Sequence, residues 1–197
     1  DVCSSDLYPV GAGERGAVWM KLRMEGPPGH GSLARPDNVL GRLGRALERL
    51  VGTRLPQHRV ALVDRYFDEL AKTQNPALGL LLKRMHVRAV ADLVLRTLPD
   101  PGVRAATAAV LSNTAAPTVV RAGSKTNVVP GFAEVEIDGR TLPGQTADDL
   151  IAEIRKVIED DVAIEILRDM PPVVADPDDD LVQLMSGAIR RHRSEEH

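Results

Sequence analysis

Two runs of strict alternation constrain this chain more than any other feature. In residues 18–24, Val18, Met20, Leu22 and Met24 alternate with Trp19, Lys21 and Arg23. In residues 133–140, Ala133, Val135 and Ile137 alternate with Glu134, Glu136, Asp138 and Arg140. Successive side chains on a strand point to opposite faces, so each run reads as a strand with one apolar face and one wet face. A sheet that is apolar on one side must bury that side under another layer.

Two helical patterns supply the layer. In the first, Leu40, Leu43, Leu47 and Leu50 recur at helical spacing, with Val39, Ala46 and Val51 widening the stripe. Pro36 suits its first turn, with Asp37 beside the helix dipole, and Gly52 and Pro56 end it. Gly41 and Gly44 cost helix propensity and leave room for a close neighbour. In the second, Thr146 and Asp149 form a capping-box-like start, and Leu150, Ile151, Ile154, Val157 and Ile158 make the apolar face. Shorter strand patterns occupy residues 118–121 and 162–167, the latter with Val162, Ile164 and Ile166 alternating against Ala163 and Glu165. Residues 8–17 are glycine-rich and aperiodic, and read as a loop.

The resulting order is strand, helix, strand, strand, helix, strand. It predicts an α/β (α+β) fold with a ferredoxin-like βαββαβ layer, an antiparallel sheet carrying two helices on one face. Residues 57–113 read as helical throughout and form an insertion after the first helix. One stripe there is Val60, Val63, Phe67 and Leu70; Asn75 and Pro76 break it, and residues 78–98 make a second segment before a short helix or turn at 103–111. After Pro171 and Pro172, Asp178, Asp179 and Asp180 open a last helix with Leu181, Leu184, Met185 and Ile189 on its apolar face.

Composition narrows the function classes. The chain has 197 residues, enough for one large domain or two small ones. It is 43% hydrophobic but only 3% aromatic, so its core is built of Leu, Val, Ile and Ala. A net charge of −3 with both signs mixed makes no electrostatic case for nucleic acid or membrane partners. No apolar run approaches the ~18 residues of a membrane span, and no secretory pattern opens the chain. Cys3 is the one cysteine, so no internal disulfide can form, and a reducing cytoplasm is the expected compartment.

The termini look foreign to the fold. The tail at 193–197 can be encoded by a sequence whose reverse complement, in another frame, encodes Cys3, Ser4, Ser5, Asp6 and Leu7. That relation resembles the two strands of a sequencing adapter. Residues 1–7 and 193–197, with Cys3 and His197, are therefore expected to be adapter-derived and are set aside.

The stretch Gly26, Pro27, Pro28, Gly29, His30, Gly31 and Ser32 lies between the first strand and the first helix. Its glycines permit unusual backbone angles and remove bulk beside the imidazole, and its prolines stiffen the approach. Such a loop can present a histidine at the tip of a rigid scaffold; on the loop alone, an idle exposed turn is the expected reading. His58 and His86 sit in no ligand spacing and read as structural or surface residues.

Three short motifs around these elements occur in a telling order. Gly29, His30, Gly31 and Ser32 are followed by Arg35, Pro36, Asp37 and Asn38. Then come Thr126, Asn127, Val128, Val129 and Pro130, and then Asp138, Gly139 and Arg140 with Leu142, Pro143 and Gly144. The set resembles the smaller, lid or dimerisation domain of the dinuclear zinc peptidase and amidohydrolase family. That family includes acetylornithine deacetylase, succinyl-diaminopimelate desuccinylase, aminoacylase and related carboxypeptidases.

The resemblance implies a lid domain at residues 8–56 and 114–168, a helical insertion at 57–113, and a linker and helix at 169–192 returning to a catalytic domain. It implies a zinc-dependent hydrolase that cleaves an amide bond next to a carboxylate, in an N-acyl amino acid or peptide. His30 would be the catalytic donor to the oxyanion, reaching into a partner's site in a homodimer. Asn127 and Arg140 would bind substrate, Arg140 gripping its carboxylate. Two zinc ions are expected in the whole enzyme. Their family ligands (an H-x-D strand end, a bridging Asp, a Glu-Glu pair and a late His) are absent from this chain, and His192 is not assigned as one. The residues themselves also allow a strand-face ion pair of Arg140 with Asp138 or Glu136, and a turn role for Asn127. A ferredoxin-like layer can equally serve as a non-catalytic ligand-binding or association module.

Overall fold

The structure, a computed structural model, describes residues 11–195. The chain begins with β1 (Gly13–Glu14), β2 (Gly16–Glu25), β3 (Gly29–His30) and α1 (Val39–Gly52). A helical block follows: α2 (Ala61–Ala71), α3 (Pro76–Leu82), α4 (Arg88–Thr97) and α5 (Pro101–Ala109). Then come β4 (Thr114–Ala122), β5 (Val128–Val129), β6 (Phe132–Thr141), α6 (Ala147–Ile158), β7 (Ala163–Met170), β8 (Val173–Val174) and α7 (Asp180–Glu195).

β2, β4, β6 and β7 form one antiparallel sheet in the order β4-β6-β2-β7. Numbered along the chain and read from the β7 edge, these four strands run 4-1-3-2, the ferredoxin-like order. The two alternating runs pair with each other. Met20 lies opposite Ile137, Leu22 opposite Val135 and Met24 opposite Ala133, so their apolar faces coincide. Beneath that face lie Val39, Leu43, Ala46 and Leu50 of α1 and Leu150, Ile154 and Ile158 of α6. Each Val, Leu or Ile among them contributes roughly 1.5–3 kcal/mol when fully buried. At Gly139, α6 packs tightly onto the sheet. A Cβ there would sit 2.6 Å from Leu150 Cδ2 and 2.7 Å from the Val18 carbonyl oxygen.

Local chemistry sets the helix ends. The α6 capping box forms as expected, with Thr146 Oγ1 accepting from Asp149 N and the Asp149 carboxylate accepting from Thr146 N. In α1 the sequence expectation is shifted by a turn. Asn38 is the cap, its Oδ1 accepting from Leu40 N at 3.0 Å, and Pro36 stands outside the helix. Asp37 pairs with Arg35 instead of meeting the helix dipole. With the helix starting at Val39, Leu40 and Val51 point to solvent and Val39 takes the buried place. Gly41 and Gly44 are exposed, and a Cβ on Gly44 would meet nothing within 4 Å.

The helical block has its own apolar cluster of Phe67, Ala71, Leu82, Met85, Ala91, Val94 and Leu111. The expected segment at 78–98 is broken into α3 and α4. Residues 80–98 contain no Gly or Pro, so no local stop signal marks the break. The break occurs where Met85 drops into the cluster, buried to 1% exposure, and the chain turns around it. A bridge between Gln57 and Ser112, with His58 N donating to Leu111 O, joins the two ends of the block.

Three features lie beyond local patterning. The stretch read as a loop holds β1, which pairs with β8. β4 is longer than the four residues expected, running through an irregularity between Pro117 and Val119. On α7, Leu184 is 64% exposed, so part of its expected apolar face is open to solvent. Among the described residues, no helix is long and apolar enough to cross a membrane.

Candidate functional site

The histidine loop is held by backbone pairing rather than by its side chains. Gly29 lies opposite Val129 and His30 opposite Val128 in the β3–β5 ladder. Gly31 N donates to Asn127 O at 2.8 Å, and Gly26 N to Gly131 O at 2.9 Å. A Cβ on Gly31 would meet the Asn127 backbone at 3.2–3.3 Å, so the two segments approach this closely because residue 31 has no side chain. Two of the three sequence-derived site residues, His30 and Asn127, are thereby brought side by side, both exposed.

The imidazole is oriented by Ser32. Ser32 N donates to His30 Nδ1 at 3.3 Å, and the Ser32 hydroxyl lies 2.7 Å from the same nitrogen. A backbone N–H can only donate, so Nδ1 is an acceptor. The neutral ring therefore carries its hydrogen on Nε2, the outward nitrogen, and offers a donor to whatever approaches the loop.

Arg140 is elsewhere. The β2–β6 register puts Ala133 opposite Met24, beside the histidine loop, and Arg140 opposite Ala17 at the other end. Seven residue steps along the strand separate Ala133 from Arg140, about 23 Å. One chain does not bring Arg140 to the same small molecule as His30. Arg140 is half-buried on the open face of the sheet and pairs with Asp138, its Nη2 donating to Oδ2 at 2.9 Å.

Beside Arg140 lies a residue that sequence reasoning missed. Arg15 Nη2 donates to Thr114 Oγ1 at 2.8 Å and to the Arg140 carbonyl at 3.3 Å. Burial first, then the charge of Arg140, hold the Arg15 guanidinium below the usual arginine range, with Asp138 acting the other way. Arg15 carried no sequence signal because it fell in a stretch with no periodicity. Next to this cluster a groove of about 290 Å³ opens between Trp19, Thr118, Glu136, Asp138 and Leu167.

His58 fits the structural role expected of it. Its Nε2 is 2.5 Å from Glu153 Oε1, and Asn113 Nδ2 donates to Glu153 Oε2 at 3.2 Å. Asn113 Oδ1 accepts from Leu142 N at 2.9 Å. This buried network ties the helical block to α6 and the end of β6. Among the described residues, no group of three or more His, Cys, Asp or Glu is placed to hold a metal ion. The described residues therefore supply no zinc site of their own.

The "Peptidase dimerisation domain" family of M20 peptidases matches residues 12–164. "Probable carboxypeptidase S-like 2" of Dictyostelium discoideum is 28% identical over 159 residues, covering 80% of this chain and 29% of that protein. The "N-fatty-acyl-amino acid synthase/hydrolase PM20D1" of Mus musculus is 28% identical over 182 residues, covering 90% of this chain and 35% of that protein. The chain thus spans about a third of the length of these curated relatives. Among solved structures, the M20 family metallo-carboxypeptidase Sso-CP2 from Sulfolobus solfataricus shares the fold, with a TM-score of 0.50 and 18% identity over 88% of this chain and 48% of that one. The sheet order, the helices on one face and the match across most of the chain lead to one conclusion: this chain belongs to the M20 peptidase dimerisation domain family.

Proposed function

We propose that this chain is the lid and dimerisation portion of a zinc-dependent hydrolase that cleaves an amide bond next to a carboxylate. The chain's relatives are named as a carboxypeptidase and an N-fatty-acyl-amino acid synthase/hydrolase, and both names fit that substrate class. The lid would comprise residues 8–56 and 114–168, with 57–113 as an insertion and 169–192 leading to a catalytic domain that holds the metal ligands.

In this reading His30 donates from Nε2 to the oxygen that gains charge as the carbonyl is attacked. Asn127 lies beside it, and Arg140 exchanges Asp138 for the substrate carboxylate in a two-point grip. The observation that carries the reading is the placement of His30 with Asn127 at one end of β6 and Arg140 at the other. A single small substrate meets both ends only if they come from different chains. A homodimer associating through the sheet edge or α1 meets that requirement, and exposed Gly41 and Gly44 leave α1 open to a close approach.

The test uses the full-length parent enzyme. His30→Ala should lower kcat by about 10²–10³, with little change in KM, because the donor acts mainly once charge has moved. Arg140→Ala should act mostly on KM, because the carboxylate is charged throughout. Mixing the two variants, assayed at substrate concentrations far below KM where Arg140→Ala is also nearly silent, should restore about a quarter of the activity. Half the dimers are mixed, and each holds one site with both residues intact. No recovery in proven mixed dimers would refute sharing of the site between subunits, and unchanged kinetics in His30→Ala would refute the donor role.

A further inference from the structure

Arg15 is a half-buried cation at the Arg140 end of the sheet. Its side chain crosses β6 to reach Thr114 on β4, and also holds the carbonyl of Arg140. Its Nε is buried and has no hydrogen-bond partner. Asp138 Oδ1, also buried, lies 2.9 Å from Arg140 Nε but makes no aligned hydrogen bond. Two guanidiniums therefore share one incompletely bonded carboxylate on the open face of the sheet. Burying a cation beside another cation is unfavourable unless the pair serves an anion. Thr114 and the Arg140 carbonyl fix Arg15 in place, so its charge cannot swing out to solvent without breaking two hydrogen bonds.

We propose that Arg15 is a positioning residue of the carboxylate site, holding the Arg140 end of β6 and supplying a second, fixed positive charge that favours an anionic group on Arg140. This rests on the reading of Arg140 as the carboxylate contact. Arg15 acts through space and through the Arg140 backbone. It is placed to act at a distance, its Nε enclosed and its Nη2 committed to Thr114 Oγ1 and the Arg140 carbonyl. A partly buried charge is screened little by salt, so its attraction for an anion at Arg140 persists at physiological ionic strength. The anion also lets Arg140 release Asp138, whose carboxylate can then turn its unpaired oxygen toward Arg15. Specificity follows: the site selects acids over their amides more strongly than one exposed arginine can.

The probe is N-acetylglycinate, with neutral N-acetylglycinamide as control, titrated at constant ionic strength into the 197-residue chain. The readout is the Nε–Hε NMR signals of the arginines. The expected result is a saturable shift at Arg140 with the acid and none with the amide. Arg15→Gln should weaken acid binding about tenfold, the effect of removing one nearby charge at intermediate dielectric. Arg15→Lys, which keeps the charge, should stay within about threefold of the unaltered chain. If Arg15→Gln does not fold, Arg15→Lys carries the test, and a tenfold loss there overturns the electrostatic role. Acid binding at Arg140 that Arg15→Gln leaves unchanged overturns the proposal while leaving the carboxylate reading standing. Equal weakening by Gln and Lys assigns Arg15 a purely structural role and also overturns it. No saturable acid shift at Arg140 in the unaltered chain overturns both readings.

Discussion

Asn113→Ala should be among the most destabilising single changes in the chain, although it removes only a small polar group. Asn113 is 1% exposed. Its carbonyl accepts from Leu142 N at 2.9 Å and its amide donates to Glu153 Oε2 at 3.2 Å. Both partners are themselves buried, Leu142 at 1% and Glu153 at 6% exposure. Truncation leaves a backbone N–H and a carboxylate oxygen without partners. Each orphaned buried group costs about 1–3 kcal/mol, more when charged, so the sum is about 4 kcal/mol. Water entering the vacated space would bring this down to about 2 kcal/mol. The comparison is Asn75→Ala, which removes an exposed helix cap, the acceptor for Leu78 N, and should cost about 1 kcal/mol. Urea denaturation followed by far-UV circular dichroism gives both values, provided the slopes stay equal. If Asn113→Ala costs no more than Asn75→Ala, the network is not what fastens the helical block to the sheet layer, and this reasoning fails.

Two further outcomes follow from packing and charge. Gly139→Ala should destabilise by about 3 kcal/mol in the same assay, because the new Cβ meets the rigid Val18 carbonyl as well as Leu150; a loss below ~1 kcal/mol would mean that α6 shifts freely. Asp160 is held below the usual carboxylate range, first by its hydrogen bond from Arg42, whose Nε donates to Oδ2 at 3.1 Å. A depressed folded-state value means the stabilisation is complete above the unfolded value of about 3.9 and is lost as pH falls through the folded one. Asp160→Asn should therefore lower stability by about 1 kcal/mol at pH 7, and the gap in melting temperature should close in acid; a gap independent of pH would refute the ion-pair account.

Local physics, readable from the residues in order, determined much of this protein. Alternation in Val18, Met20, Leu22 and Met24 and in Ala133, Val135 and Ile137 specified two strands and the face each buries, because the period of a strand is written in its own side chains. Thr146 and Asp149 specified where α6 begins, since both halves of the box lie within one turn. Glycine at residue 31, beside His30, marked the loop later matched by its close approach to Asn127.

Only the tertiary structure decided which partners those elements take. β1 was unreadable because its partner, β8, lies some 160 residues away, and a two-residue strand has no period of its own. The same holds for His58, whose partner Glu153 sits on another layer, and for Arg15, which gains meaning only beside Thr114 and Arg140. The register of β2 against β6 separated His30 from Arg140, although both residues were singled out by sequence. A sequence pattern states which face a side chain occupies; the distance between two side chains on that face depends on how strands are paired, and pairing is a property of contacts far apart in the chain.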